Sequence, residues 1–84
     1  MYRIEFGPRA IRDFRGLHPD IQRRIDPAIK SLGQNPHPPR CKKLSGNESL
    51  WRVRVGDYRI VYQVEDVRLL VLVLRIGHRR EIYR

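Results

Sequence analysis

The chain is poor in the residues that staple small proteins or load them with metal. Its one cysteine, Cys41, has no partner for an internal disulfide and rules out a multi-cysteine zinc set, so it reads as a small filler near a strand end. The three histidines form no His, Cys and carboxylate spacing of the metal-binding kind, and neither a metal nor any other cofactor is expected. No apolar run approaches the roughly 18 residues that a membrane helix needs. The opening Met1-Tyr2-Arg3-Ile4-Glu5-Phe6 alternates instead of building the apolar segment of a secretion signal, so a soluble, cytoplasmic protein without membrane contact is expected. Gly46 stands alone in Leu44-Ser45-Gly46-Asn47, which excludes a glycine-rich phosphate loop, and no Ser-His-Asp order or paired-carboxylate signature stands out.

Acidic side chains are scarce too. Nine Asp+Glu face 18 Lys+Arg, a formal charge of +9, and only three of those cations are lysines. Arginine keeps its charge at any working pH and grips phosphate with a planar fork, so this bias points to anion recognition: nucleic acid, or an acidic protein partner covering the same face. The 84 residues make one domain, 1–84, of a size that buries only about 60–65% of the surface its unfolded chain exposes. Nearly every apolar position is therefore needed for a single core.

Tyr2, Ile4 and Phe6 alternate with Arg3 and Glu5, the period of a half-buried strand, which Gly7-Pro8 stops. Ala10, Ile11, Phe14 and Leu17 fall at helical spacing, with Gly16 and His18-Pro19 ending that helix. Pro19 suits the first turn of a second helix striped by Ile21, Ile25, Ala28, Ile29 and Leu32, and Gly33-Gln34-Asn35-Pro36 terminates it. An interior proline, Pro27, removes a hydrogen bond and predicts a kink or break near Arg23 to Asp26. Asn35-Pro36-His37-Pro38-Pro39 is a stiff extended connector.

The second half reads as a meander. Leu50 to Val55 alternates, with Trp51, Val53 and Val55 on one face and Arg52 and Arg54 on the other; Gly56-Asp57 has the composition of a two-residue turn. Tyr58 to Glu65 returns, Glu65-Asp66 turn again, and Leu69 to Leu74 is continuously apolar until Gly77 breaks the run before a short tail, Glu81 to Arg84. Strand, helix, helix and three strands predict an α+β fold, β-α-α-β-β-β. It consists of a mostly antiparallel four-stranded sheet with a two-helix hairpin on one face and arginines on the other.

Arg52 and Arg54 share a strand face about 6.5–7 Å apart and repel unless an anion lies between them or a carboxylate such as Glu48 or Glu65 pairs with one. The turn brings Arg59 close to both, while Arg75, Arg79 and Arg80 come from the last strand and its exit. His18 and His37 precede prolines and read as exposed loop residues, whereas His78 is expected beside the basic face, where an imidazole can move a proton near neutrality. Tyr83 either stacks on a base, donates its hydroxyl, or pins the tail. Arg40, Lys42 and Lys43 are either sequence-indifferent phosphate contacts or solvated loop charge.

Two blocks, Gly56-Asp57-Tyr58-Arg59-Ile60-Val61-Tyr62 and Gly77-His78-Arg79-Arg80-Glu81-Ile82-Tyr83, together with Lys43-Leu44-Ser45-Gly46 and Trp51-Arg52-Val53-Arg54, resemble the RelE/ParE superfamily of bacterial type II toxins over nearly the whole chain. The resemblance to the RelE-like branch implies a ribosome-dependent endoribonuclease that cuts messenger RNA in the A site without metal. There the 2′-hydroxyl attacks phosphorus, leaving a 2′,3′-cyclic phosphate and a 5′-hydroxyl. It also implies a cognate antitoxin as partner, with operator DNA bound only through that antitoxin. By motif, Arg52 and Arg54 are the two basic strand positions, Arg59 the phosphate-gripping arginine, Arg79 the arginine after Gly-His, and Tyr83 the terminal aromatic. Lys42, Lys43, Arg75 and Arg80 are expected to bind RNA around them. Family members with lysines at the two strand positions have a potential base there. Arginine is never deprotonated, so Arg52 and Arg54 are left with electrostatic stabilisation and proton transfer falls to Tyr83 or His78. A ParE-like DNA gyrase inhibitor is the second reading, and a non-catalytic basic partner or corepressor acting with its antitoxin the third.

Overall fold

The computed structural model describes residues 1–44, 46 and 49–78 of the 84. The chain runs β1 (Arg3–Phe6), α1 (Pro8–Arg15), α2 (Pro19–Leu32), β2 (Lys42–Lys43), β3 (Leu50–Val55), β4 (Tyr58–Glu65) and β5 (Leu70–His78). The strands form one sheet in the order β1-β5-β4-β3-β2, in which β1 lies parallel to β5 and every other pairing is antiparallel. The α+β architecture is the expected one, with a fifth strand added: Lys42–Lys43, read from sequence as loop, pairs with β3 at the sheet edge. Two residues are too few for alternation to register, so only the partner strand reveals β2.

One core joins helices and sheet. Ala10 of α1, Ile25, Ile29 and Leu32 of α2, Val53, Ile60, Tyr62 and Val64 of the hairpin, and Val71, Val73 and Ile76 of β5 are all buried together. Pro8 and Pro19 occupy the first turns of their helices, where a missing N–H costs nothing. His18 caps α2, its Nδ1 accepting from the Asp20 N–H at 3.2 Å, a role beyond the exposed-loop one read from sequence. The expected break at Pro27 does not occur: α2 continues from Pro19 to Leu32. Pro27 and Arg23, whose carbonyl loses its amide partner, are both exposed, so that oxygen is on the solvent side of the helix. Burial of Ile25, Ile29 and Leu32, at about 1.5–3 kcal/mol each, outweighs the roughly 3 kcal/mol that an interior proline costs.

The connector after α2 is pinned to the core. The fully buried Tyr62 donates its hydroxyl to the Pro36 carbonyl at 2.7 Å, and burial first, then the Cys41 thiol beside it, holds its pKa well above the usual tyrosine range. His37 sets its ring edge-on against Trp51, with centroids 4.5 Å apart. Gly77 does not end β5, which continues to His78. Among the described residues no helix is long and apolar enough to cross a membrane.

Candidate functional site

Alternation along β3 sends Trp51, Val53 and Val55 toward the core and leaves Arg52 and Arg54 on the face away from the helices. Gly56, at φ +60°, adopts the left-handed backbone that lets the chain reverse at once, and this tight reversal sets the register of the hairpin. Arg54 therefore stands directly across from Arg59, and Arg52 across from Val61. On the other side of β3, Lys42 stands across from Arg52. Side chains directly opposite on one face have Cβ atoms about 4.5–5.5 Å apart, and like charges so placed destabilise the pair.

Two of these cations are nevertheless buried: Arg52 is 7% exposed and Arg59 5%. Among the described residues no carboxylate lies within 4 Å of Lys42, Arg52 or Arg54, and the Arg52 side chain has no hydrogen-bond partner. A guanidinium held largely out of water carries a desolvation cost in the free protein, and an anion docked against it offsets that cost. Arg52 and Arg54 line a groove of about 420 Å³ with Pro39, Arg40, Cys41, Lys42 and Gly56. Among the described residues four cations and no acid line it, which is the chemistry of a phosphate site.

His78 is not on this face, contrary to the sequence expectation. A β-bulge between Val61 and Tyr62 of β4 and the facing stretch of β5 pairs Tyr62 with Val73 but Ile60 with Ile76, so β5 spends one extra residue, Leu74, within one period. Beyond the bulge Arg75 and Gly77 share the face of Val61 and Arg59, while Ile76 and His78 turn to the helix side. There the His78 ring meets Tyr58 edge-on at 5.6 Å and lines a separate cavity of about 360 Å³ with Arg12, Asp13 and His18 among others.

Arg75, expected as an RNA contact, is engaged elsewhere. Its Nε donates to Asp13 Oδ2 at 2.9 Å, and the same oxygen accepts the Ile76 N–H at 2.9 Å. Lys42 shares the basic face, whereas Lys43 stands across from Trp51 on the other side of the alternation. Arg79, Arg80 and Tyr83 lie outside the described residues. Arg40, read from sequence as either a phosphate contact or solvated loop charge, lines the groove beside Lys42. Sequence reasoning missed Asp13, since nothing local marks a contact 62 positions away. Among the described residues no three His, Cys, Asp or Glu side chains gather where they would hold a metal ion.

Comparison with known proteins gives a consistent result. The family described as "ParE toxin of type II toxin-antitoxin system, parDE" matches residues 4–83. Toxin RelG of Mycobacterium tuberculosis is 33% identical over 87 residues, covering 99% of this chain and 97% of its own. The mRNA interferase toxin RelE of Escherichia coli K12 is 27% identical over 86 residues, covering 98% and 90%. The fold matches the intact E. coli RelBE toxin-antitoxin complex with a TM-score of 0.82 at 25% identity, over 93% of this chain and 96% of that one.

Proposed function

Since the chain belongs to the RelE/ParE superfamily of type II toxins, its relatives lying in the RelE branch, we propose that it is a metal-independent, ribosome-dependent endoribonuclease that cuts messenger RNA and thereby inhibits translation. The observation that carries this reading is the cluster of Lys42, Arg52, Arg54 and Arg59 on one sheet face, with Arg52 buried and without an anionic partner among the described residues. A scissile phosphodiester supplies the missing charge.

In this mechanism the 2′-hydroxyl attacks the adjacent phosphorus, the P–O5′ bond breaks, and the products carry a 2′,3′-cyclic phosphate and a 5′-hydroxyl. Charge grows on the nonbridging oxygens of the phosphorane. Arg52, Arg54 and Arg59 share one sheet face, and their guanidinium groups would stabilise that charge; one well-placed donor is worth about 3–4 kcal/mol. None of them accepts a proton, because an arginine base is unavailable at working pH. Proton transfer is assigned to Tyr83, the terminal aromatic of the family motif, with Arg79 as a further phosphate contact. His78, turned to the helix side against Tyr58, is assigned to packing. The ribosome positions the RNA, which is why a site without a strong base suffices.

The partner is an antitoxin, as in the E. coli complex, whose acidic residues would neutralise part of the +9 charge; operator DNA is reached through it. Expression without antitoxin, followed within minutes by mapping of messenger 5′ ends, tests the reading. New 5′-hydroxyl ends in phase with codons are expected, and they should vanish with Arg59→Ala. The ParE description of the matching family favours one alternative, inhibition of DNA gyrase. Arrest with stalled gyrase-DNA cleavage complexes and intact messenger would establish that alternative instead.

A further inference from the structure

The basic groove extends beyond the three arginines assigned to the scissile phosphate. It is lined by Arg52 and Arg54 on β3, by Lys42 on the edge strand and by Arg40 just before it, and Arg59 on β4 stands across from Arg54 on the same sheet face. We infer that Arg40 and Lys42 form a second phosphate subsite, so that the RNA backbone crosses the strands from β4 to β2 and at least two consecutive phosphodiesters are held at once. This inference rests on the nuclease reading and adds the path of the substrate.

Three observations carry it. Adjacent strands are about 4.8 Å apart, so β4 and β2 stand roughly 9.5 Å apart across β3, and the cations rooted on them spread over a track wider than a single phosphate group. The outer part of the groove is lined by Pro39, Arg40, Cys41 and Lys42, and its cations are exposed and without a carboxylate within 4 Å among the described residues. Arg52 is the junction: more than nine-tenths buried and unpartnered among the described residues, it opens into the groove that Arg40 and Lys42 line. Cations on an edge strand also discourage pairing with another sheet, but Arg40 precedes β2 and has no part in that. The subsite recognises charge and reads no base, since lysine and arginine here meet phosphate oxygens.

The test is binding of a fluorescent 2′-O-methyl hexaribonucleotide, which lacks the nucleophile and is not cut, titrated by anisotropy at several salt concentrations. Each phosphate contact to a single strand contributes about 0.7 to the slope of log K against log salt. Arg40→Ala is therefore expected to lower the slope by about 0.7 and to weaken binding about fivefold at 0.1 M salt. Arg40→Lys should restore both. Arg15→Ala, the same loss of one charge on the exposed surface of α1, should change neither. Isotherms of Arg40→Ala that superimpose on wild type, an equal effect of Arg15→Ala, or no binding by wild type would each overturn the subsite. Failure of the nuclease reading is seen separately, as uncut messenger on ribosomes whatever Arg40→Ala does to oligonucleotide binding.

Discussion

One carboxylate oxygen of Asp13 on α1 accepts two hydrogen bonds from β5, from Arg75 Nε and from the Ile76 N–H, each at 2.9 Å. The arrangement answers a problem of topology. β1 pairs with β5 only as far as Phe6 opposite Val73, so among the described residues the later part of β5 has no strand on that side. The helix that follows β1 lies along this gap, and Asp13 satisfies the backbone donor that a longer β1 would have taken. The Asp13 and Arg75 side chains are only 20% and 31% exposed, so water is a poor substitute.

Asp13→Ala is accordingly expected to destabilise the protein by about 1–3 kcal/mol in urea unfolding, through a stranded amide and a half-buried guanidinium. Asp13→Asn keeps an acceptor for Ile76 and should lose less. A midpoint for the alanine variant equal to wild type would refute this account.

The Arg54–Arg59 juxtaposition predicts that stability and activity oppose each other. Replacing Arg54 by Thr removes a directly opposed like charge and should raise stability by about 0.2–1 kcal/mol at low salt, with the gain shrinking as salt screens the pair. Messenger cleavage should fall at the same time. Thermal unfolding at two ionic strengths, alongside 5′-end mapping, reads both effects; a destabilised Arg54→Thr at low salt would contradict the electrostatic argument.

Tyr62 makes a pH prediction. Its folded-state pKa lies above the unfolded value of about 10, so the native state holds a proton that the unfolded chain releases in alkali. The contribution is fully present below about pH 10 and is lost as pH rises toward the folded pKa. Tyr62→Phe should therefore be less stable than wild type at neutral pH, by about 1 kcal/mol for the lost bond to Pro36, with the deficit narrowing in alkali. Tyr2, hydrogen-bonded to Asp66, shifts in the same direction, so only the difference between the two proteins isolates the buried ring. A deficit that does not change from pH 8 to pH 11 would show that Tyr62 is not the group responsible.

Pro27 stands on the exposed side of a continuous helix. Pro27→Ala returns an amide to the Arg23 carbonyl and removes a cost of up to about 3 kcal/mol, less the 0.4–1 kcal/mol or so by which proline restrains the unfolded chain. A net gain of about 1–2 kcal/mol is expected from denaturant midpoints, and a loss would mean that the helix is already adapted to the proline.

Sequence alone determined the β3–β4 half of the site. Period-two alternation assigns Arg52 and Arg54 to the face opposite Trp51, Val53 and Val55, and a two-residue turn at Gly56-Asp57 fixes the register that sets Arg54 against Arg59; both are local rules, readable from neighbours. β5 obeyed no local rule. Counted by twos from Val71 and Val73, His78 belongs on the basic face, and one bulged residue moved it to the helix side, exchanging it for Gly77. The bulge, the Asp13 contact with Arg75 and the meeting of Lys42 with Arg52 were decided by tertiary structure. Each depends on how distant elements share one core and on which backbone donors that packing leaves to be satisfied, and such long-range closure leaves no periodicity in the chain.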